Sequence, residues 1–488
     1  MKVKKISVFI CLTLFGIAVN GQVRQPHALY FMETLPQISQ MNPAFQPNAD
    51  WYLTVPFVNF NVDLFSDIAV KDVLQQHGNK WYWPIEEKYD YAKLWKSIGK
   101  NAAIINGGMD WDMIGFGFRM GDGYFSFGVS EHISAFTALP RDLFNVTDKG
   151  FPKETLLNFS PMHAKSLAYT QFNIGYSHRI DDKLTVGVNV KPLFGQLAFA
   201  TKINKFDLYT EEQQWDLNVK GSVYSSLPID VTKDAEGFID DVEIKDFDDD
   251  EVSDWVNNYV FKNPGIAFDF GAAYKIDERL TVSASLNNLG FISWNNEMNG
   301  VSFNGQYKFK GVEYDASSDD EIEDLFSRLW DSIQHVVDCR VQHNKFKTPM
   351  TPVFHVGASY RLTNSISVNF LSRSTFWRKS VRQSFNASCN LQPFGFLTFN
   401  AGATWQVKGN VFLGGGLTFF AGPVQFYFLT DFIPIRYSTI DGIEYTSGDT
   451  IYPIPVPERQ KSLTMRTGLN LVFGKMNKPM LEKNNSWK

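Results

Sequence analysis

The sequence predicts an all-β fold: a transmembrane antiparallel β-barrel of about 14 strands, with an N-terminal plug and long extracellular loops. Three observations carry this reading. Ten-residue segments alternate strictly between apolar and polar side chains, the turns between them share one pattern, and the apolar residues are too dispersed for spanning helices. Of 488 residues, 44% are hydrophobic and 15% aromatic, with 43 Phe, yet mean hydropathy is only -0.20. Past the N-terminus no run approaches the roughly 18 apolar residues that a spanning helix needs.

Residues 1–21 read as a cleavable export signal. Lys2, Lys4 and Lys5 form the charged region, Ile6 to Val19 the apolar region, and Val19-Asn20-Gly21 the small-residue cleavage site before Gln22. Removing those three lysines moves the formal charge from -6 to -9, which argues against a nucleic-acid partner. Cys11 lies inside the apolar region with no small residue before it, against acylation. Cys339 and Cys389 then remain, either as one pair or as two separate thiols, and they form no disulfide framework.

Residues 51–474 carry the barrel pattern. In Lys183 to Lys191, Leu184, Val186, Val188 and Val190 share one face and Thr185, Gly187, Asn189 and Lys191 the other. Leu280, Val282, Ala284 and Leu286 oppose Thr281, Ser283, Ser285 and Asn287 in the same way, and Ile366, Val368 and Phe370 oppose Ser365, Ser367 and Asn369. His178-Arg179-Ile180-Asp181, Tyr274-Lys275-Ile276-Asp277 and Tyr360-Arg361-Leu362-Thr363 each lead into such a strand.

Sixteen candidate strands fall near 51–62, 111–119, 123–131, 167–179, 183–199, 213–225, 263–276, 279–294, 300–311, 351–362, 364–377, 380–391, 395–407, 409–420, 422–433 and 462–474. Outer-membrane barrels have short inner turns, longer outer loops and an even strand number. Short turns fall at 120–123, 180–183, 276–279, 362–364, 392–394 and 421–423. If all six lie on the inner side, 213–225 and 300–311 must be outer excursions, and fourteen spanning strands remain. The long outer connections are then 63–110, 132–166, 200–262, 295–350 and 434–461, with tight ones near 378–380 and 408–410. Trp294, Trp377 and Trp405 fall at outer strand ends and Tyr274 and Tyr360 at inner ends, as aromatic girdles require. A secreted β-sandwich or β-helix is the competing architecture, burying the apolar faces in a protein core. Residues 475–488 form a C-terminal tail.

Residues 22–50 precede the first strand and hold Asn42-Pro43-Ala44. That triplet resembles the signature of the long-chain fatty-acid transporter family and of type IX secretion (PorV/PorP-like) barrels. The stretch from Leu29-Tyr30-Phe31-Met32 to Phe45-Gln46-Pro47 is similar to an uncharacterised family of outer-membrane barrels. The resemblance implies that residues 22–50 plug the lumen as a hatch with Asn42, Pro43 and Ala44 at its turn, although the Gly/Ala-rich run usual before that motif is absent. From the residues alone, Asn-Pro-Ala is also an ordinary turn into the first strand, because the residue before Pro is kept from helix.

Strand parity places Arg119, Lys191, Asp269, Lys275, Arg361, Arg373, Asp431 and Arg466 on lumen faces. There they either select solutes in an open pore or pair with one another and with plug groups in a filled one. The acidic run with Asp246, Asp248, Asp249, Asp250 and Glu251 lacks the glycine and ligand spacing of an EF-hand and reads as a solvated outer loop. Ile322, Leu325, Phe326, Leu329, Ile333 and Val336 mark an amphipathic helix over 319–337, and 66–76 and 89–99 are shorter helix candidates. His335, Asp338, Cys339 and His343 match no closed zinc site, and His132-Ile133-Ser134 lacks an assignable third member for nucleophilic catalysis. No catalytic, metal or cofactor site is assigned. The chain is expected in the outer membrane among its lipids, binding or passing a hydrophobic small molecule. The alternative is a scaffold whose outer excursions recruit a secreted or surface protein.

Overall fold

The computed structural model describes residues 25–66, parts of 68–98, and 101–244, 261–310, 336–377, 380–407, 411–433, 437–447, 450–457 and 461–474. The proposed signal, the C-terminal tail, the acidic run at 246–251, most of the 319–337 helix and the tight turns at 378–379 and 408–410 lie outside these residues. So does most of the two shorter helix candidates.

Fourteen strands close into one antiparallel barrel. They are β1 (Trp51–Thr54 and Asn59–Ser66), β2 (Ala102–Met120), β3 (Gly123–Pro140), β4 (His163–Arg179), β5 (Leu184–Thr210), β6 (Asn263–Lys275), β7 (Leu280–Trp294), β8 (Phe346–Pro349 and Val353–Arg361), β9 (Ile366–Trp377), β10 (Ser380–Phe394), β11 (Leu397–Gln406), β12 (Val411–Ala421), β13 (Val424–Asp431) and β14 (Ser462–Phe473). Each strand pairs with its neighbour in sequence, and β14 returns to β1 through Trp51↔Phe473 and Phe60↔Thr467. Closure leaves no strand edge to meet lipid unpaired.

The six short turns gather at one rim, as their parity demands. Three of them are built alike: Ile180 N–H donates to Leu184 O at 2.8 Å, Ile276 N–H to Leu280 O at 2.9 Å and Leu362 N–H to Ile366 O at 3.0 Å. In the first, the Asp181 carboxylate accepts the Leu184 and Lys183 amides, both at 2.7 Å. In the second, Asp277 accepts those of Arg279 and Leu280 at 2.7 and 2.8 Å. Here Asp ties its own backbone into the turn.

Candidate strands 213–225 and 300–311 are outer excursions. The strand Trp215–Ser226 pairs with the far half of β5 and with Met298–Phe309, so together they extend the wall beyond the barrel. Under them Val219, Phe238, Val337 and Cys339 form a separate small core.

The barrel is inside-out relative to a water-soluble core. Phe116, Phe118, Ile174, Phe270, Val356, Phe370, Phe399, Leu413 and Phe426 project outward and exposed, whereas Asn61, Asp63, Ser126, Asn189, Ser285, Thr418, Gln425 and Asn470 are buried inside. Tyr274 and Tyr360 are exposed at inner ends and Trp405 at an outer end. Trp294 departs from the girdle expectation. It turns inward, fully buried, and its Nε1 donates to Thr348 Oγ1 at 2.9 Å, because Phe346 and Leu193 offer it a packed pocket.

The Asp181 and Asp277 carboxyls are held below the ordinary aspartate range, the first by the Leu184 and Lys183 amides and the second by those of Arg279 and Leu280. A lowered folded value means that the stabilisation is present at neutral pH and is lost as pH falls through that value. Amide exchange at Leu184 and Leu280, measured against Asp181→Ala and Asp277→Ala, should therefore show wild-type protection that vanishes only below the usual aspartate range. The Ala variants should lack that protection at every pH.

Candidate functional site

The lumen is occupied by the chain itself. From Gln25, level with the outer halves of β9, β13 and β14, the N-terminal segment runs down through two 3-10 turns, His27–Phe31 and Pro36–Gln40, to the inner rim at Asp50. Pro36 starts the second turn, where its missing N–H costs nothing. The segment adds no strand to the barrel, and side chains hold it.

Its apolar face lies against an apolar strip of the wall. Leu29, Tyr30, Met32 and Leu35 pack with Leu371, Tyr427 and Leu429, all at 1% exposure or less. Burial on that scale stabilises roughly 1.5–3 kcal/mol per large side chain. The Tyr30 hydroxyl lies 3.1 Å from Ser283 Oγ and accepts from Asn42 Nδ2.

Asn42, Pro43 and Ala44 sit in a bare patch of backbone. Gly187 of β5 and Gly271 of β6 are direct register partners. A Cβ on Gly187 would lie 2.2 Å from Pro43 O, and one on Gly271 would lie 2.0 Å from Asn42 Oδ1. Only glycine leaves this space. Asn42 is fully buried: its Nδ2 donates to Ala284 O and Tyr30 Oη at 3.2 Å, and its Oδ1 accepts the Ala44 amide at 3.0 Å.

Six of the eight sequence-derived charges meet this segment or one another. Arg466 pairs with Asp112 at 2.5 Å and donates to Gln40 Oε1 at 2.8 Å and to Gln25 Oε1. Arg373 donates to Gln25 O at 3.0 Å. Asp431 accepts the His27 amide at 2.9 Å and faces its Nδ1 at 2.5 Å. Arg119 donates to Gln46 Oε1 and Pro47 O, both at 2.8 Å. Lys191 and Asp269 pair with each other at 2.5 Å beside Asn189, whose Nδ2 reaches Ser39 O. Lys275 and Arg361 instead lie exposed at inner strand ends, where Arg361 borders a polar vestibule of about 160 Å³.

Sequence reasoning missed His27, Gln25, Asp110, Asp112 and the glycine seat. His27 and Gln25 lie ahead of any periodic segment, so no pattern flags them; the inward Gly187 and Gly271 were legible as small residues on a polar face. His27 Nε2 also meets Ser384 Oγ at 3.0 Å, so Ser384, His27 and Asp431 are connected like a catalytic triad. All three are buried, and neither described cavity is lined by Ser384. The arrangement ties residue 27 of the segment to β10 and β13. His132 does gain an acid on the adjoining strand, Asp110 at 2.7 Å. Ser134 is buried two residues further along the same strand. Asp338 pairs with Arg340, His343 Nδ1 bonds Met298 O, and burial with the Asp338 charge pushes the Cys339 thiol up to about 11. His335 lies outside the described residues, among which no metal-holding group occurs. Cys339 and Cys389 are both free.

A closed barrel with an apolar exterior and a polar, side-chain-filled lumen defines a transmembrane β-barrel of the outer-membrane type. Residues 43–431 match the model of a family of unknown function, DUF5723, and the chain belongs to that family. No curated protein matches the chain. Among solved structures it is similar to the Ralstonia pickettii toluene transporter TbuX, at 10% identity and TM-score 0.42 over 90% of this chain and 94% of that one. It is similar also to the Pseudomonas putida toluene transporter TodX, at 10% and 0.42 over 90% and 95%. A Pseudomonas aeruginosa FadL homologue aligns at 10% and 0.40 over 93% and 96%.

Two substitutions test the seat. Arg466→Met leaves Asp112 buried without its cation and should cost about 3–5 kcal/mol in urea unfolding of the detergent-solubilised barrel. Gly187→Val should leave the barrel heat-modifiable on gels but make residues 25–50 newly sensitive to protease.

Proposed function

We propose that the protein binds and passes a small hydrophobic molecule through a lumen gated by its N-terminal segment. The observation that carries this reading is the apolar strip of Leu371, Tyr427 and Leu429 on the lumen wall, covered by a segment that is held by side chains and shares no ladder with the barrel. Moving the segment uncovers an apolar wall, and hydrophobic ligands favour such surfaces with a few polar groups at the margin. On this reading Asn42, Pro43 and Ala44 form the hinge seat, and Arg373, Asp431 and Arg466 form the clasp that keeps the gate shut. Export by cleavage after Gly21 belongs to the same proposal.

A second reading has one observation of its own. The sheet built from the far half of β5, Trp215–Ser226 and Met298–Phe309 stands outside the barrel, as a scaffold for a secreted or surface partner requires. Deleting residues 211–262 should then abolish recovery of that partner and leave uptake of hydrophobic probes intact.

Gating is tested by locking the segment. Thr34 Oγ1 and Thr418 Oγ1 lie 3.4 Å apart, so Thr34→Cys with Thr418→Cys, in a chain with Cys339 and Cys389 replaced by Ser, can form a disulfide across them. Oxidised protein in liposomes should lose uptake of a fluorescent alkylbenzene at least ten-fold and regain it on reduction. Equal uptake by the oxidised and reduced forms sinks the gate.

A further inference from the structure

Beside the clasp the lumen holds a space of about 90 Å³, bounded by Gln25 and most of residues 36–41 of the N-terminal segment and by residues of β1 to β5 and β7 to β9. At about 15 Å³ for each water-sized occupant, it has room for roughly six. Its polarity is one-sided in a way that the hydrogen-bond partners fix.

His132 Nδ1 faces the Asp110 carboxylate at 2.7 Å, and a carboxylate only accepts, so Nδ1 carries a proton and, in the neutral ring, Nε2 presents a lone pair. Ser285 Oγ donates to Met41 O at 2.7 Å. It therefore accepts from His355 Nδ1 at 3.2 Å, which leaves His355 Nε2 as a lone pair too. Asn287 Nδ2 donates to Gln40 O and Met41 O at 2.9 and 3.1 Å, so its Oδ1 is also an acceptor. These three atoms are buried, lack any protein partner and belong to residues that line the one space. Buried polar atoms without partners call for a donor from outside the chain.

The charges around the space say which donor. Asp112 is paired with Arg466 and Lys191 with Asp269, Asp110 accepts from Gln25 and Asn61, and Arg373 donates to Gln25 O, so neither a cation nor an anion is favoured. We propose that this chamber is a binding site for a small neutral polyol of glycerol size, whose hydroxyls donate to His132 Nε2, Asn287 Oδ1 and His355 Nε2. One molecule carrying several donors loses less freedom on binding than separate waters placed at the same points. The inference is independent of hydrophobic transport.

The test is equilibrium dialysis of the full-length protein in detergent against radiolabelled glycerol, with 1-propanol as a competitor that has a single hydroxyl. The expected result is one saturable equivalent per chain that 1-propanol does not displace. His355→Phe keeps a ring beside Tyr30, now at 5.4 Å, and His132→Phe keeps the stack on Tyr169, now at 4.7 Å. Each should cut retention at least ten-fold while the barrel stays heat-modifiable. Absence of saturable glycerol, or retention unchanged in both variants, overturns the proposal and assigns the chamber to water.

Discussion

The constraint on which the rest depends is that hydrocarbon offers no partner to a backbone N–H or C=O. Every strand must therefore be paired on both sides, and the pairing of β14 with β1 through Trp51↔Phe473 makes that possible with an open sheet's ingredients. Closure in turn dictates the side chains. Alternate residues face lipid and are apolar, which is why Val368 and Phe370 are exposed while the intervening Asn369 is buried. The alternation visible in the sequence is this requirement written out residue by residue.

A polar lumen poses a second problem, since buried amides and charges cost free energy unless they are paired. The N-terminal segment answers it locally. Gln37 and Asn470 exchange two hydrogen bonds at 2.8 and 3.1 Å, Asn390 donates to Phe31 O at 2.7 Å, and Gln425 donates to Thr34 O at 2.7 Å. Neutral amides on the wall thus meet backbone carbonyls that a 3-10 turn leaves unpaired. The fit is reciprocal, because the segment's own groups would be equally orphaned elsewhere in the lumen.

Strand number, turn side and the outward placement of the two strands 213–225 and 300–311 were legible because the lipid belt enforces them. Strand length was not. The patterns at 111–119, 123–131 and 183–199 stop well short of Ala102–Met120, Gly123–Pro140 and Leu184–Thr210. Past the belt the wall leaves lipid, so a charged residue such as Lys205 can stand exposed there and the pattern lapses, although the hydrogen-bond ladder continues. The inward turn of Trp294 has the same origin, a pocket formed by distant residues. Of the lumen charges, parity assigns a face but not a partner. The partner of Asp431 is His27, which is separated from it by 404 positions and belongs to no periodic segment.

The seam joining β14, β1 and β2 shows why the segment and the wall are interdependent. There β1 breaks between Thr54 and Asn59, with Phe57 at φ 65 and projecting outward, so the regular ladder is interrupted where the barrel closes and reduced to bonds such as Val55 N–H to Leu469 O at 3.0 Å and Phe57 N–H to Met113 O at 3.4 Å. Side chains supplement them. Asn59 donates to Val55 O at 2.8 Å and Leu469 O at 3.2 Å, and it accepts from Tyr427 at 2.9 Å. Across the same seam, Gln25 bonds Asp110 of β2 at 2.7 Å and accepts from Arg466 of β14, which also holds Asp112. The segment therefore cross-braces this interrupted part of the ladder. A displacement large enough to uncover the apolar strip would have to release that brace, so the gating proposed above would open the lumen and loosen the seam together.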